Sequence, residues 1–308
     1  FCATTNSDNA VYAALALEGL QGKTVRAKTR AIAGTIHKAG YDDPISTNPA
    51  MVLGGLTEGV TPLGWTYAYS TIGNDGDRVS GTLAPRPGES PVSYTQVTND
   101  DDETIKGGDN DSTHEQVLDE GVALEAKRIL ETVVSSGTGT NADTGAEGEW
   151  GKTGTTENNG DAWFCGGVQD EVTACVWVGY ADSVTPMETL YQGGPVMGGT
   201  FPALIWASVI NAWEEIQAEK AAEKEARKAE REAKKEAEEN GEDFEAGEYE
   251  YVPTEPVEEE FYEPESGGES AVEPEEVAPE EGAAEAAPEA TPEATPEGGG
   301  GGGGVTAG

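Results

Sequence analysis

The chain has 308 residues, with 18 Lys and Arg against 59 Asp and Glu and a formal net charge of −41 at pH 7. Like charge repels, so nucleic acid and anionic lipid are excluded as partners of the chain as a whole. The acid is uneven: from Asn240 onward there are 21 acidic residues and no Lys or Arg, a polyanionic tail, while the part before Glu214, about 210 residues, is long enough to bury a core.

Asn9 to Leu20 reads as a first helix, with Asp8 or Asn9 as cap and Val11, Leu15 and Leu17 on one face. Val25 to His37 is a second, basic amphipathic helix closing before Gly40. A glycine-punctuated loop follows, and Thr61-Pro62 opens another helix that Asn74 to Gly76 stops. Arg78 to Gly108 alternates weakly, which predicts short strands around the acidic turn Asn99 to Glu103. Asp119 to Val134 is helical, with Val122, Ile129, Leu130 and Val133 on one side. Two apolar runs, Asp161 to Val168 and Val172 to Ala181, flank Gln169-Asp170-Glu171 and predict an antiparallel hairpin. Phe201 to Trp213 is a last apolar helix. Glu214 to Glu239 is almost entirely Ala, Glu, Lys and Arg, a composition for a solvated helix held by i,i+4 charge pairs. The Pro, Glu, Ala and Gly pattern after residue 240 buries too little apolar surface to order itself.

The expected fold is α+β, an antiparallel sheet with flanking helices, followed by the charged helix and a disordered acidic tail. The expected domains are residues 1–213, 214–240 and 241–308. Cys165 and Cys175 stand on the two hairpin runs and can face each other; two small buried apolar residues is the plainer reading. With Cys2 they form no Cys-x-x-Cys and no disulfide framework. His37 and His114 are isolated and read as surface residues, and no cluster of metal ligands is present, so no metal or organic cofactor is expected. No apolar run reaches the length of a membrane span and no signal peptide is visible. The chain begins at Phe1 rather than Met, and the reading is a fragment of a longer protein.

The chemistry centres on Trp150 to Trp163, WGKTGTTENNGDAW. Ala146 to Thr153 fits a loose phosphate-loop pattern, but no apolar strand precedes it and an Asn-Asn-Gly turn stands where a helix would have to begin. The alternative is an edge strand from Gly151 to Thr156 with a hairpin partner starting at Asp161. Such a strand offers its backbone to an extended peptide, Gly154 permits close approach, Lys152 fixes a positive charge, and the threonine hydroxyls hold a carboxylate. An ordinary hairpin with a solvated lysine is the bland alternative.

Upstream, Ser7-Asp8-Asn9 stands just before the first helix. Lys-Thr-Gly with an upstream Ser-x-Asn resembles the active-site serine penicillin-recognising enzymes. TNSDNAVYAALALEGL, NPAMVLGGLTEGVTPLGWTYAYSTIGNDG, VVSSGTGTNA, GKTGTTENNGDAWFCGGV and GGTFPALIW resemble, in order, the penicillin-binding transpeptidase domain of class A peptidoglycan synthases. The resemblance covers Phe1 to Trp213 and implies a penicillin-binding/β-lactamase-like fold. It implies that Ser7 relays a proton to and from the leaving group, that Asn9 holds the substrate's peptide carbonyl, and that Lys152 bonds the relay serine. It implies carboxylate binding by Thr153 and Thr155, close approach at Gly154, and an oxyanion-hole donor in the Thr155 N–H.

The sequence departs from the family's pattern in one respect. The family's nucleophile lies in Ser-x-x-Lys, and no serine here is followed three residues later by lysine. The expectation is a nucleophile upstream of Phe1, a fragment that is inactive alone, and β-lactams bound covalently only by the complete protein. The resemblance implies a D,D-transpeptidase acting on peptidoglycan stem peptides, other cell-wall synthesis proteins as partners, and a glycosyltransferase domain and membrane anchor upstream. The site would face the outside of the cell. The alternative is a non-catalytic cell-wall-binding or scaffold protein derived from a transpeptidase.

Overall fold

The computed structural model describes residues 1–83, 90–99 and 103–240. The expected acidic tail, residues 241–308, and the tip of the expected acidic turn, residues 100–102, lie outside the described residues.

The chain opens with a short helix α1 (Cys2–Thr5) and helix α2 (Asn9–Ala14), which ends in one π-type turn, Leu15–Gly19. Asp8 is the cap: its Oδ1 accepts from the N–H groups of Ala10 and Val11 at 2.9 and 3.1 Å. Helix α3 (Val25–Lys38) starts at a Thr24 cap, and helix α4 (Pro62–Gly73) starts at Thr61 with proline in its first turn. Tyr41, from the loop after α3, is buried against Ala39 and Ala68.

Strands β1 (Asp77–Gly81), β2 (Gln96–Thr98), β3 (Thr104–Asp109) and β4 (Ser112–Gln116) form two antiparallel ribbons, β1 with β4 and β2 with β3. The sequence pattern missed β4, because Ser112 to Gln116 is exposed along its whole length and carries no apolar alternation. Helix α5 (Glu120–Ser136) begins at its Asp119 cap.

The main sheet is β5 (Glu149–Thr155), β6 (Asp161–Val168) and β7 (Val172–Gly179), antiparallel and in that spatial order. The expected hairpin is β6–β7, in register from Asp161↔Gly179 to Val168↔Val172. One sheet face carries Phe164 and Val168, buried with Val134 of α5 and with Ala203, Trp206 and Ile210 of the last helix, α6 (Phe201–Asn240). Burying each large side chain of this set stabilises the fold by roughly 1.5–3 kcal/mol. On the other face Trp150 is fully buried and stacks on Tyr69 of α4, ring centroids 6.3 Å apart and planes within 6°. The strands approach closely at Gly166, where a Cβ would stand 2.1 Å from the Trp150 carbonyl oxygen.

Two expectations are corrected. The apolar and charged helices expected on either side of Trp213 are one continuous helix, because i,i+4 pairs such as Glu223–Arg227, 2.6 Å apart, carry it past its last apolar residues. Cys165 and Cys175 are not separate buried thiols: they are direct cross-strand partners with Cα atoms 4.1 Å apart, joined as a disulfide. Cys2 is free and exposed.

Candidate active site

β5 stands at one edge of its sheet. The Thr156 N–H donates to the Asp161 carbonyl at 3.0 Å. Antiparallel bonding alternates along a strand, so the even-numbered residues of β5 bond β6 and the amides of Thr153 and Thr155 point toward the open edge. No helix follows the lysine: after β5 comes one 3-10 turn, Glu157–Asn159, and then β6.

Lys152 reaches that edge from one sheet face. Its Nζ donates to Ser7 Oγ at 2.8 Å, to the Thr153 carbonyl at 3.0 Å and to Thr153 Oγ1 at 3.4 Å. Burial lowers its pKa from 10.5 to about 8, with no charged neighbour among the causes. The amine is thus protonated at neutral pH and held by three neutral acceptors.

Several local devices place Ser7. Asp8 caps α2, which leaves the serine hydroxyl for the lysine. Thr5 Oγ1 bonds Thr132 Oγ1 of α5 at 2.5 Å, and the Thr138 N–H donates to the Thr5 carbonyl at 3.1 Å. Ser7 itself has φ of +54°, in the left-handed region that a non-glycine residue occupies only when its surroundings fix it. Asn9 is exposed in the first turn of α2, and its side-chain amide makes no hydrogen bond to any described residue. The sequence-predicted Ser7 and Lys152 thus meet directly, although 145 residues separate them.

The threonines face the opposite side of the strand. Thr155 Oγ1 accepts from the Gly198 N–H at 3.0 Å, and Thr153 Oγ1 lies 2.7 Å from Thr138 Oγ1. Gly198 packs on the strand backbone so closely that a Cβ would lie 2.7 Å from the Gly154 nitrogen. Gly154 pairs with Trp163, whose Cβ would lie 3.3 Å from a Cβ at residue 154. Sequence reasoning gave no role to Thr138. The available signal was its place in Gly137-Thr138-Gly139, a tight loop straight after a long helix.

The histidines stand in other elements: His37 Nδ1 donates to the Tyr41 carbonyl at 2.6 Å, and His114 Nδ1 meets Asp77 at 2.6 Å. Among the described residues no group of His, Cys, Asp and Glu is placed to hold a metal ion. Among them, too, no helix is long and apolar enough to cross a membrane. The arrangement offers one ammonium, one serine hydroxyl bonded to it, outward backbone N–H groups and several threonine hydroxyls along an open strand. That set can bind an extended peptide with a carboxylate and move a proton at Ser7 Oγ.

The family model for the penicillin-binding protein transpeptidase domain matches residues 3–196. Penicillin-binding protein 4 of Bacillus subtilis (strain 168) is 34% identical over 160 residues, 52% of this chain and 22% of that protein. Penicillin-binding protein 1A of Neisseria lactamica is 34% identical over 164 residues, 53% of this chain and 18% of its own length. The chain thus spans about a fifth of the length of these relatives. The crystal structure of penicillin-binding protein 1A from Haemophilus influenzae shares the fold, with a TM-score of 0.50 and 16% identity over 67% of this chain and 33% of that one.

Proposed function

The chain belongs to the penicillin-binding protein transpeptidase family, and on that premise we propose that it is the C-terminal part of a peptidoglycan D,D-transpeptidase. The substrate is a stem peptide ending in D-alanine. It lies along the open edge of β5 as an added strand, with its carboxylate on the hydroxyls of Thr153 and Thr155. Gly154 leaves room for it, and Asn9 holds its peptide carbonyl. The Thr155 N–H stabilises the oxyanion in the transition state.

The observation that carries this reading is the 2.8 Å hydrogen bond from Lys152 Nζ to Ser7 Oγ. A hydroxyl tied to a positively charged, partly desolvated amine passes a proton without becoming a nucleophile itself. In the reaction a nucleophilic serine attacks the carbonyl before the terminal D-alanine, and the proton it gives up passes through Ser7 Oγ to the departing amine. The acceptor amine then attacks the serine ester to form the new amide bond, and its proton returns through Ser7 Oγ to the released serine oxygen. No serine of the 308 residues is followed three residues later by lysine, so the acylated serine is supplied from outside these residues. The parent protein also carries a glycosyltransferase domain and a membrane anchor, and its transpeptidase site faces the exterior. The Cys165–Cys175 disulfide supports an oxidising compartment.

The test is intact mass after incubation with benzylpenicillin. The 308-residue chain should gain no mass. The chain preceded by its natural upstream coding sequence should gain one penicilloyl group on a Ser-x-x-Lys serine. An upstream frame without that motif, or one that fails to acylate, would favour a non-catalytic cell-wall-binding protein built on the same edge strand.

A further inference from the structure

We infer that Thr138 is a specificity-determining residue of the carboxylate subsite, its hydroxyl acting with that of Thr153 to present a proton at the open edge of β5. The inference rests on the carboxylate-binding role proposed above for Thr153 and Thr155.

The loop that carries Thr138 is fixed from several sides. The Gly139 N–H donates to the Val133 carbonyl at 3.0 Å, closing the loop on α5. The Thr138 N–H donates to the Thr5 carbonyl at 3.1 Å, two residues before Ser7. A Cβ at residue 137 would stand 2.3 Å from that Thr5 carbonyl, and one at residue 199 would stand 2.1 Å from the Thr138 carbonyl. Glycines at these positions let the Ser7 loop and the turn before α6 close on the Thr138 backbone. Its side chain remains exposed, 2.7 Å from Thr153 Oγ1.

The protons of the pair are accounted for by their neighbours. Lys152 directs its N–H groups at Ser7 Oγ, the Thr153 carbonyl and Thr153 Oγ1. Thr153 Oγ1 therefore already accepts from the lysine. If Thr138 donates to the same oxygen, the Thr153 proton is turned outward. If Thr153 donates instead, the Thr138 proton is left. In either case the pair keeps one O–H for an external acceptor. Thr155, whose Oγ1 accepts from the Gly198 N–H, keeps its own proton as a second donor. Two hydroxyl donors beside an ammonium suit the two oxygens of one carboxylate. Without Thr138 the Thr153 hydroxyl is free to turn back onto backbone carbonyls, and the outward donor is lost.

The test uses the 308-residue chain and two probes, Nα,Nε-diacetyl-Lys-D-Ala-D-Ala and its C-terminal amide, with affinities measured by NMR titration. The free acid should bind better than the amide. Thr138→Val should weaken the acid about tenfold, the scale of one charge-assisted hydrogen bond, and leave the amide unchanged. Thr138→Ser should restore the acid. An acid-to-amide ratio in Thr138→Val equal to that of the unaltered chain would overturn the inference and leave the proposed function standing. Equal weakening of acid and amide would also overturn it, by assigning Thr138 a structural role. If the unaltered chain binds acid and amide alike, or neither, the carboxylate subsite falls, and with it both the inference and the substrate reading it rests on.

Discussion

Cys165 and Cys175 face each other across β6 and β7, and the cross-strand line through them continues to Lys152 on β5. The disulfide therefore lies on the same sheet face as the lysine, with Cys165 as its direct neighbour. Direct partners in an antiparallel pair hold their Cβ atoms about 5 Å apart, so the bond forms part of the floor under the lysine stem.

Alkylation should therefore label one thiol, Cys2, in the native chain and three after reduction under denaturing conditions. Replacing both Cys165 and Cys175 by alanine should cost about 2–3 kcal/mol, since the bond spans a short loop. Thermal unfolding measures this. Three reactive thiols in the native, non-reduced chain would mean that Cys165 and Cys175 are not bonded.

The titration of Lys152 has a definite sign. Its folded pKa of about 8 lies below the unfolded 10.5, so between those values the unfolded chain binds more protons. Stability therefore rises with pH across that window, and below pH 8 the full cost of holding a desolvated ammonium is present. With screening at the partly open edge, the cost is about 1–2 kcal/mol. Lys152→Met removes it. Urea unfolding should show the variant gaining on the unaltered chain at pH 7 relative to pH 10.5. An equal difference at both values would mean that the amine titrates normally. Binding of the free-acid peptide should weaken as pH rises through about 8, where the site loses its charge.

Much of this site was legible because its parts are local. Apolar runs broken by Gln169-Asp170-Glu171 predict β6 and β7, and an edge strand before them follows from the glycines and threonines around Lys152. Ser7 and Lys152 were named from two short motifs, and they are hydrogen-bonded in the fold. What was not legible depends on register or on backbone shape. Whether Cys165 bonds Cys175 turns on which residues fall opposite each other, and a one-residue slip would place them on opposite faces. The positive φ of Ser7 leaves no mark in a non-glycine residue. Thr138 meets Thr153 only because glycines at 137 and 199 let two other segments close on its loop.

Asp8 tests how Ser7 is held. Its carboxylate accepts two backbone N–H groups at the start of α2, so Asp8→Ala should cost about 1 kcal/mol. The expected consequence at the site is larger than that figure suggests. Without the Asp8 cap, the Ser7 hydroxyl is the next group able to turn toward the helix N-terminus and away from Lys152. Asp8→Asn keeps an accepting oxygen and should behave like the unaltered chain. In the full protein, Asp8→Ala should lower acyl transfer while Asp8→Asn does not. Equal activity in both would show that Ser7 is placed without the cap.

Two glycine-to-alanine changes should have opposite signs. Gly166 of β6 stands directly opposite Gly151 of β5, and an alanine Cβ would fall 2.1 Å from the Trp150 carbonyl oxygen and 2.7 Å from the Gly151 Cα. Both are backbone atoms, so relief requires the strands to separate, at the cost of ladder bonds and of the packing of Trp150 on Tyr69. Several kcal/mol of destabilisation is expected, on the order of 3 or more. Lys152, two residues from Trp150, should move with the strand, so binding of the free-acid peptide should fall as well. Gly34 lies inside α3, where an alanine Cβ would meet no atom within 4 Å, and its φ is not in the left-handed region. Gly34→Ala should therefore stabilise by about 0.5–1 kcal/mol, through the lower entropy of the unfolded chain, with peptide binding unchanged. Thermal melts of the two variants side by side make the comparison. A melting temperature unchanged in Gly166→Ala would mean that β5 and β6 are not packed this closely, and the placement of Lys152 at the open edge would have to be redrawn.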